Sequence, residues 1–398
     1  MNFDLSPELA SARRAVRAFM DEHVIPVEER IIAEDERGLN PETLLSLQAR
    51  ARSEGLWVPH LPTEWGGRGF GPMGMCVLFR EMGRSLVGAR VFNCDAPDQG
   101  NMDLLLRVAS PEARDRWLGP LARAEITSAF AMTEPAPGAG ADPTNLRTTA
   151  RLDGESWVID GHKWYTTGGA QAAVLIVMAR TSDDPRKGAT LFLVDRDAPG
   201  VELVREIPTF GPPLLQHREA EFRFHGVRVG HEQLLGGVGD GFRLAQARLV
   251  PARLTHCMRW LGLADRTVAL SRRYVQERVS FGKTLDKHQL VQKVFADAAT
   301  AIHAGNLMAF HCAWLLEQGR DIEARPYSSM CKNHVASLLC RTLDDAMQLH
   351  GGLGYSDDVP FGRWYRHARA ARIADGPDEV HTMTVGRDTI AGTFDLLV

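Results

Sequence analysis

The sequence predicts an α+β chain in three parts: an N-terminal helical domain over residues 1–125, a central β-barrel or sandwich domain over 126–238, and a C-terminal four-helix bundle over 239–398. Three observations carry this. One helix-start pattern occurs three times in the first part. The middle part breaks into short β-rich runs separated by turn residues. Beyond Gly241 apolar residues return to helical spacing over segments long enough to pack as a bundle.

The repeated pattern is Ser6-Pro7-Glu8, Asn40-Pro41-Glu42 and Ser110-Pro111-Glu112. Each places a capping side chain before a proline at the first helical position and an acid in the first turn. The glycine-rich piece from Pro62 to Phe70 interrupts these helices. Strands are expected at Thr127–Met132, Ser156–Ile159, Ala173–Met178, Ala189–Val194, Val201–Val204 and Ala220–Phe224, with turns at Asp153-Gly154, Asp160-Gly161 and Pro199-Gly200. No long helices alternate with these runs, which argues against a doubly wound parallel sheet. Gly236–Gly241 lacks the Gly-x-Gly-x-x-Gly spacing of a dinucleotide turn and reads as a linker. Long helices are expected at roughly 241–278, 286–318 and 325–350, with a short one beginning at Pro377.

Composition narrows the function classes. Of 398 residues 44% are hydrophobic and 24% charged, as in ordinary soluble domains. A net charge of −4 argues against nucleic acid as a main partner, and the basic run Arg363–Arg369 reads as a solvated helix face. No apolar run approaches the roughly 20 residues that span a bilayer. Met1 leads into a helix start without a targeting pattern, so a cytoplasmic chain is expected. Six scattered cysteines without Cys-x-x-Cys predict free thiols, and no His-Glu-x-x-His occurs; no metal site is expected.

Five stretches carry candidate chemistry. In Ala371–His381, Asp375 precedes a Gly-Pro turn at the end of a buried-looking segment; it suits either a catalytic base or a helix N-cap. Phe130–Pro135 ends a strand at Thr133 beside a permissive loop, offering donors to a flat polar ring or simply a strand cap. Asp160–Gly168 runs from a tight turn into a strand with adjacent aromatics and two hydroxyls, equally readable as a cofactor wall or as core. Glu277–Gln289 ends one helix and starts another, so that Arg278 and Ser280 could hold a diphosphate or complement a helix dipole. Gln348–Tyr355 closes a helix on paired glycines, allowing close backbone approach or a plain C-cap.

In order and spacing these motifs resemble the acyl-CoA dehydrogenase family over essentially the whole chain. Thr-Glu-Pro before a Gly/Ala loop, Gly-x-Lys-x-aromatic-x-Thr, Glu-Arg-x-x-Phe-Gly-Lys…His-Gln and Gly-Gly-x-Gly-Tyr follow in sequence. The segment from Asn93 to Met102, His256-Cys-Met-Arg259 and Ile373–His381 are most similar to the dehydrogenase portion of family members ten and eleven. The resemblance implies a homotetramer with one FAD per subunit. Met132 and Thr133 would line the flavin pyrimidine ring, with Tyr165 and Thr167 on its other side and near N5. Arg278, Ser280 and Phe281 would hold the diphosphate region across a subunit interface, with Gln289, Gln348 and Gly352 along the rest of the nucleotide. Glu379 is carried over to the cofactor, and Arg253, Ala141 and Gly376 to the substrate. Tyr165, Ala141, Pro377 and Glu379 depart from the residues usual at their positions, which puts their contacts in question.

The family's glutamate base matches Asp375; the other position from which members supply a base matches Ala252, which cannot serve. The resemblance thus implies α,β-dehydrogenation of an acyl-CoA, medium- or long-chain or 4-hydroxylated, to a trans-2-enoyl-CoA. Asp375 would take the α-proton, the β-hydride would pass to flavin N5, and an electron-transfer flavoprotein would receive the electrons. The thioester oxygen would be held by the N–H of the base residue and a flavin ribityl hydroxyl. A water-excluded pocket is expected to raise the Asp375 pKa towards neutrality. Two other readings stay open: a nitroalkane-oxidase-like flavoprotein with an aspartate base, and an inactive scaffold subunit.

Overall fold

The computed structural model describes residues 4–34, 38–184, 187–210 and 218–394. The N-terminal part is helical, with α1 (Pro7–Phe19), α2 (Ile25–Ala33), α3 (Pro41–Ser53), α4 (Pro72–Met82) and α5 (Asp98–Val108). All three predicted starts are capped as expected. Ser6 Oγ accepts from Leu9 N–H, Asn40 Oδ1 from Glu42 N–H and Ser110 Oγ from Ala113 N–H, at 3.2, 2.8 and 3.2 Å.

The middle part is one eight-stranded sheet: β1 (Ser128–Ala131), β2 (Thr149–Asp153), β3 (Ser156–Thr167), β4 (Val174–Arg180), β5 (Ala189–Asp195), β6 (Val201–Ile207), β7 (Glu219–Gly230) and β8 (Leu234–Leu235). The order is β6-β7-β3-β2-β4-β5-β8, with β1 added in parallel to β4. Strand β2 was not foreseen, and β3 and β7 run much further than their apolar cores. The expected turn at Asp160-Gly161 is instead a register shift inside β3, between Ile159 and Gly161. A Cβ at Gly161 would lie 2.3 Å from Thr148 Oγ1, so glycine is what lets the strand pass there. Both faces of β4 are buried. Val174, Ile176 and Met178 join the helical core, while Leu175, Val177 and Ala179 join the sheet's own core with Phe192, Phe222 and Phe224.

The C-terminal part holds α6 (Gly241–Glu277), α7 (Gln289–Glu317), α8 (Asp321–His350), α9 (Phe361–Arg369) and α10 (Asp378–Ala391). Helix α6, about 55 Å long at 1.5 Å per residue, packs on α4 and α5 as well as on α7 and α8. Glycines permit its approach to α4: a Cβ at Gly83 would lie 2.3 Å from the Arg259 backbone, and one at Gly262 only 2.0 Å from the Arg80 carbonyl. The run Arg363–Arg369 is not wholly solvated as predicted. Arg363 and Trp364 are buried, and Arg266 lies over the Trp364 ring at 4.9 Å. Pro377, expected as the first helical residue, is the N-cap of α10, so the helix begins one residue later at Asp378, and Asp375 is not a cap. Among the described residues no helix is long and apolar enough to cross a membrane, no His/Cys/Asp/Glu group could hold a metal, and all six cysteines are unpaired.

Candidate active site

Asp375 sits on the turn between α9 and α10 with φ +54°, followed by Gly376 at +101°. An aspartate in the left-handed region is held there by its surroundings, and these are three helices. From α6, Arg253 Nε donates to the Asp375 carbonyl at 2.8 Å. From α10, His381 Nε2 meets the same oxygen at 3.2 Å, while its Nδ1 meets Ser329 Oγ at 3.0 Å. From α8, Lys332 Nζ donates to the Gly376 carbonyl at 2.8 Å and to Asp378 Oδ1 at 3.1 Å. Arg372 Nε completes the clamp on Asp378 Oδ2 at 2.7 Å. The N–H of Asp375 makes no hydrogen bond among the described residues.

The turn differs from its predicted character. Ile373 is 62% exposed, so the segment before Asp375 is not a buried apolar strip. The Asp375 side chain is 22% exposed, with Oδ2 3.2 Å from His256 Nε2 and without a formed hydrogen bond among the described residues. The expected rise in its pKa is reversed. Burial alone would raise it, but His256 beside the carboxylate, with the Arg248 and Arg253 charges, holds it well below the usual carboxylate range. Arg248 is buried, donates to Asn101 Oδ1 at 2.7 Å and lies over the Phe130 ring at 4.4 Å, which places the end of β1 beside the cations that face Asp375. Ala252, the alternative base position, is buried and apolar.

The end of β1 and the far half of β3 form a second group. Thr133 carbonyl accepts from Trp164 N–H at 3.0 Å. Met132 and Thr133 are half-buried, and Tyr165 holds its ring half-exposed at φ +50°. Thr167 Oγ1 donates to Glu219 Oε2 at 2.7 Å, leaving its oxygen free to accept. Beneath lies a buried ion pair that the sequence reading missed. Lys163 Nζ donates to Glu134 Oε1 at 2.8 Å and to Met132 carbonyl at 2.9 Å. The Glu134 carboxylate also accepts the N–H groups of Ala139, Arg147 and Thr148. Both residues stood in the singled-out motifs, but their spacing in sequence gives no sign of their contact.

A third group follows α6, where Val279–Ser280 pairs with Lys283–Thr284 as a two-stranded hairpin. Arg278, Phe281 and Gln289 are exposed, with Phe281 at 95%, and Ser280 is half-buried. Tyr274 stacks on His350 at 4.1 Å, joining this end of α6 to the end of α8 that carries Gln348 and Gly352, both exposed. No hydrogen bond or ion pair among the described residues ties the third group to either of the others. Ala141 lies exposed in the loop after Glu134, and Glu379 is exposed in the first turn of α10. The structure adds His256 and His381 to the base loop; in sequence His256 and Arg259, at i, i+3, suit a hydroxylated acyl group, while His381 carries no signal of its own.

The fold first defines a class: chains built of a helical, a β and a second helical domain. Residues 6–125, 129–224 and 239–390 match the N-terminal, middle and C-terminal domains of acyl-CoA dehydrogenase. The chain belongs to the acyl-CoA dehydrogenase family. It is 38% identical to the Mycobacterium tuberculosis protein named probable acyl-CoA dehydrogenase FadE2, covering 97% of this chain and 96% of that one. It is 35% identical to mouse acyl-CoA dehydrogenase family member 10, covering 96% of this chain but only 37% of the mouse protein. A solved Mycobacterium abscessus chain of the acyl-CoA dehydrogenase class superposes with a TM-score of 0.92 at 38% identity, covering 98% of this chain and all of that one.

Proposed function

We propose that this chain is an FAD-dependent acyl-CoA dehydrogenase that converts an acyl-CoA thioester to a trans-2-enoyl-CoA with Asp375 as the base. The observation that supports it best is the Asp375 turn: an ionised carboxylate beside a backbone N–H that nothing in the described chain uses. The carboxylate takes the α-proton. The adjacent N–H donates to the thioester oxygen, which makes that proton more acidic. Arg253, His381 and Lys332 hold the turn so that both groups keep their places. Because Arg253 Nε is engaged by the Asp375 carbonyl, Arg253 acts through the base loop, while Gly376 and Ala141 border the substrate.

FAD fits the residues present. Half-exposed Met132 and Thr133, the uncovered Tyr165 ring and the accepting oxygen of Thr167 offer a flat ring both apolar and polar contacts. Bound FAD supplies the two-electron acceptor for the β-hydride. Arg278, Ser280, Phe281, Gln289, Gln348 and Gly352 hold the rest of the cofactor, with Glu379 near it. The exposed Phe281 and the exposed apolar residues Leu290 and Met308 of α7 support a homotetramer in which copies share these contacts. An electron-transfer flavoprotein is the proposed acceptor of the electrons.

The test is anaerobic mixing of FAD-loaded protein with saturated medium- and long-chain and 4-hydroxyacyl-CoA thioesters, following flavin absorbance. Rapid bleaching is expected, and Asp375→Asn should keep FAD while losing at least 10³-fold in rate, in line with loss of a positioned base, worth 10²–10⁴. Bleaching by a simple nitroalkane and by none of the thioesters would overturn the assignment, as would an unimpaired Asp375→Asn.

A further inference from the structure

We infer that His256 is a positioning residue for the base: a chain of contacts Asp95–Arg259–His256 fixes the imidazole so that Nε2 carries the ring proton beside the Asp375 carboxylate. This rests on Asp375 being the base. Arg259 Nη1 lies 2.6 Å from Asp95 Oδ1, and its Nη2 lies 2.8 Å from His256 Nδ1. A guanidinium only donates. Nδ1 therefore accepts, and the proton of the neutral ring is on Nε2, the atom 3.2 Å from Asp375 Oδ2. Stacking on Trp260, at 5.3 Å and 24°, fixes the ring plane. His256, Arg259 and Trp260 occupy i, i+3 and i+4 of α6, so one helix face sets the whole arrangement.

The other charged groups around Asp375 are engaged elsewhere. From α6, Arg248 donates to Asn101 and to the Pro97 carbonyl, and Arg253 to the Asp375 carbonyl. From α8, Lys332 is taken by Gly376 and Asp378; from α10, Asp378 pairs with Lys332 and Arg372, and His381 meets the Asp375 carbonyl and Ser329. Arg248 and Arg253 act on the carboxylate only through their charge. His256 alone among these brings a side-chain nitrogen to the carboxylate itself, at 3.2 Å from Oδ2, leaving Oδ1 for the substrate proton. Its contribution to holding the carboxyl below the usual range accords with this placement.

The experiment is the pH profile of anaerobic flavin reduction for the FAD-loaded wild type, His256→Leu, His256→Gln and Arg259→Met. FAD content and melting temperature are checked for each. In His256→Leu an acid limb should appear at higher pH than in the wild type, whose carboxylate stays ionised across the accessible range, with the plateau kept or raised. His256→Gln, whose amide N–H₂ can stand in for Nε2–H, should restore most of the shift, and Arg259→Met should show part of it. A loss equal at all pH values, or an unmoved limb, would overturn the inference. If the wild-type flavin is bleached by no thioester, the dehydrogenase reading fails separately, and 15N-histidine spectra decide the pairing. The His256 Nε2–H signal, identified by its loss in His256→Gln, should move in Asp375→Asn; an unmoved signal refutes it.

Discussion

Lys163→Met tests whether the buried ion pair beneath the β1–β3 edge fixes that edge. The Lys163 side chain is 0% exposed and Glu134 2%, at 2.8 Å. Removing one partner of a buried pair typically costs about 3–5 kcal/mol, because a charge is left without its counter-ion. Here Glu134 would keep three backbone donors, Ala139, Arg147 and Thr148, and methionine roughly matches the lysine stem, so no large cavity opens. The expected loss is therefore at the lower end, about 3 kcal/mol. The Met132 carbonyl also loses its Lys163 donor, so the strand end that carries Met132 and Thr133 should loosen. The assay is thermal melting by circular dichroism together with flavin retention through gel filtration. Lys163→Met should melt several degrees lower and lose flavin. The double variant Glu134→Gln/Lys163→Met should recover part of the loss, since the unpaired charge is then gone. A melting temperature within error of wild type, or a double variant worse than the sum of the singles, would refute the reasoning.

Two further outcomes concern the base loop. In Gly376→Ala a Cβ would be forced onto φ +101° and to 2.8 Å from His381 Nε2; a cost of about 1–3 kcal/mol and a slower flavin reduction with FAD retained are expected, checked by melting and stopped-flow absorbance. Burial, reinforced by the Arg253 and Lys332 charges, lowers the His381 pKa from 6.5 to about 4. Below pH 6.5 the unfolded chain takes up a proton that the folded chain refuses until about pH 4, so stability falls with pH in that window, by about 1.4 kcal/mol per pH unit from this group. Melting temperatures from pH 7 to 4.5 should drop less steeply in His381→Gln, and parallel slopes would show that His381 carries none of the acid sensitivity.

Local chemistry explains what the sequence made legible. The caps at Ser6, Asn40 and Ser110 are signals within three residues, and all three formed. Asp160-Gly161 misled because that dipeptide favours turns; what continues β3 through it is pairing with β7, some 60 residues on. The pKa of Asp375 was misjudged for a related reason. Its apolar neighbours suggested a dry pocket, but Ile373 points to solvent, and the groups that favour the charged carboxylate, Arg248, Arg253 and His256, are about 120 residues earlier on α6. Sequence periodicity can place those residues on a helix; only packing can bring that helix to the loop.

Strain offers the remaining link between fold and function. Tyr165, Phe281 and Asp375 all sit in the left-handed region, at +50°, +51° and +54°. Such a conformation costs a non-glycine residue about 1–2 kcal/mol. For Asp375 the offset is within the chain, because donors from α6, α8 and α10 hold the carbonyls of its turn. Phe281 has no such return. It shares a hairpin turn with Gly282, at +79°, where an asparagine or glycine would be the easier residue, and its ring remains 95% exposed. A large apolar ring held in a strained turn, meeting only the His288 ring edge-on at 6.4 Å and otherwise open to solvent, is explained if further contacts lie outside that chain. That is what the proposed sharing of cofactor contacts between copies requires; on that proposal the hairpin, rather than the base loop, is the part of the site that a single chain leaves incomplete.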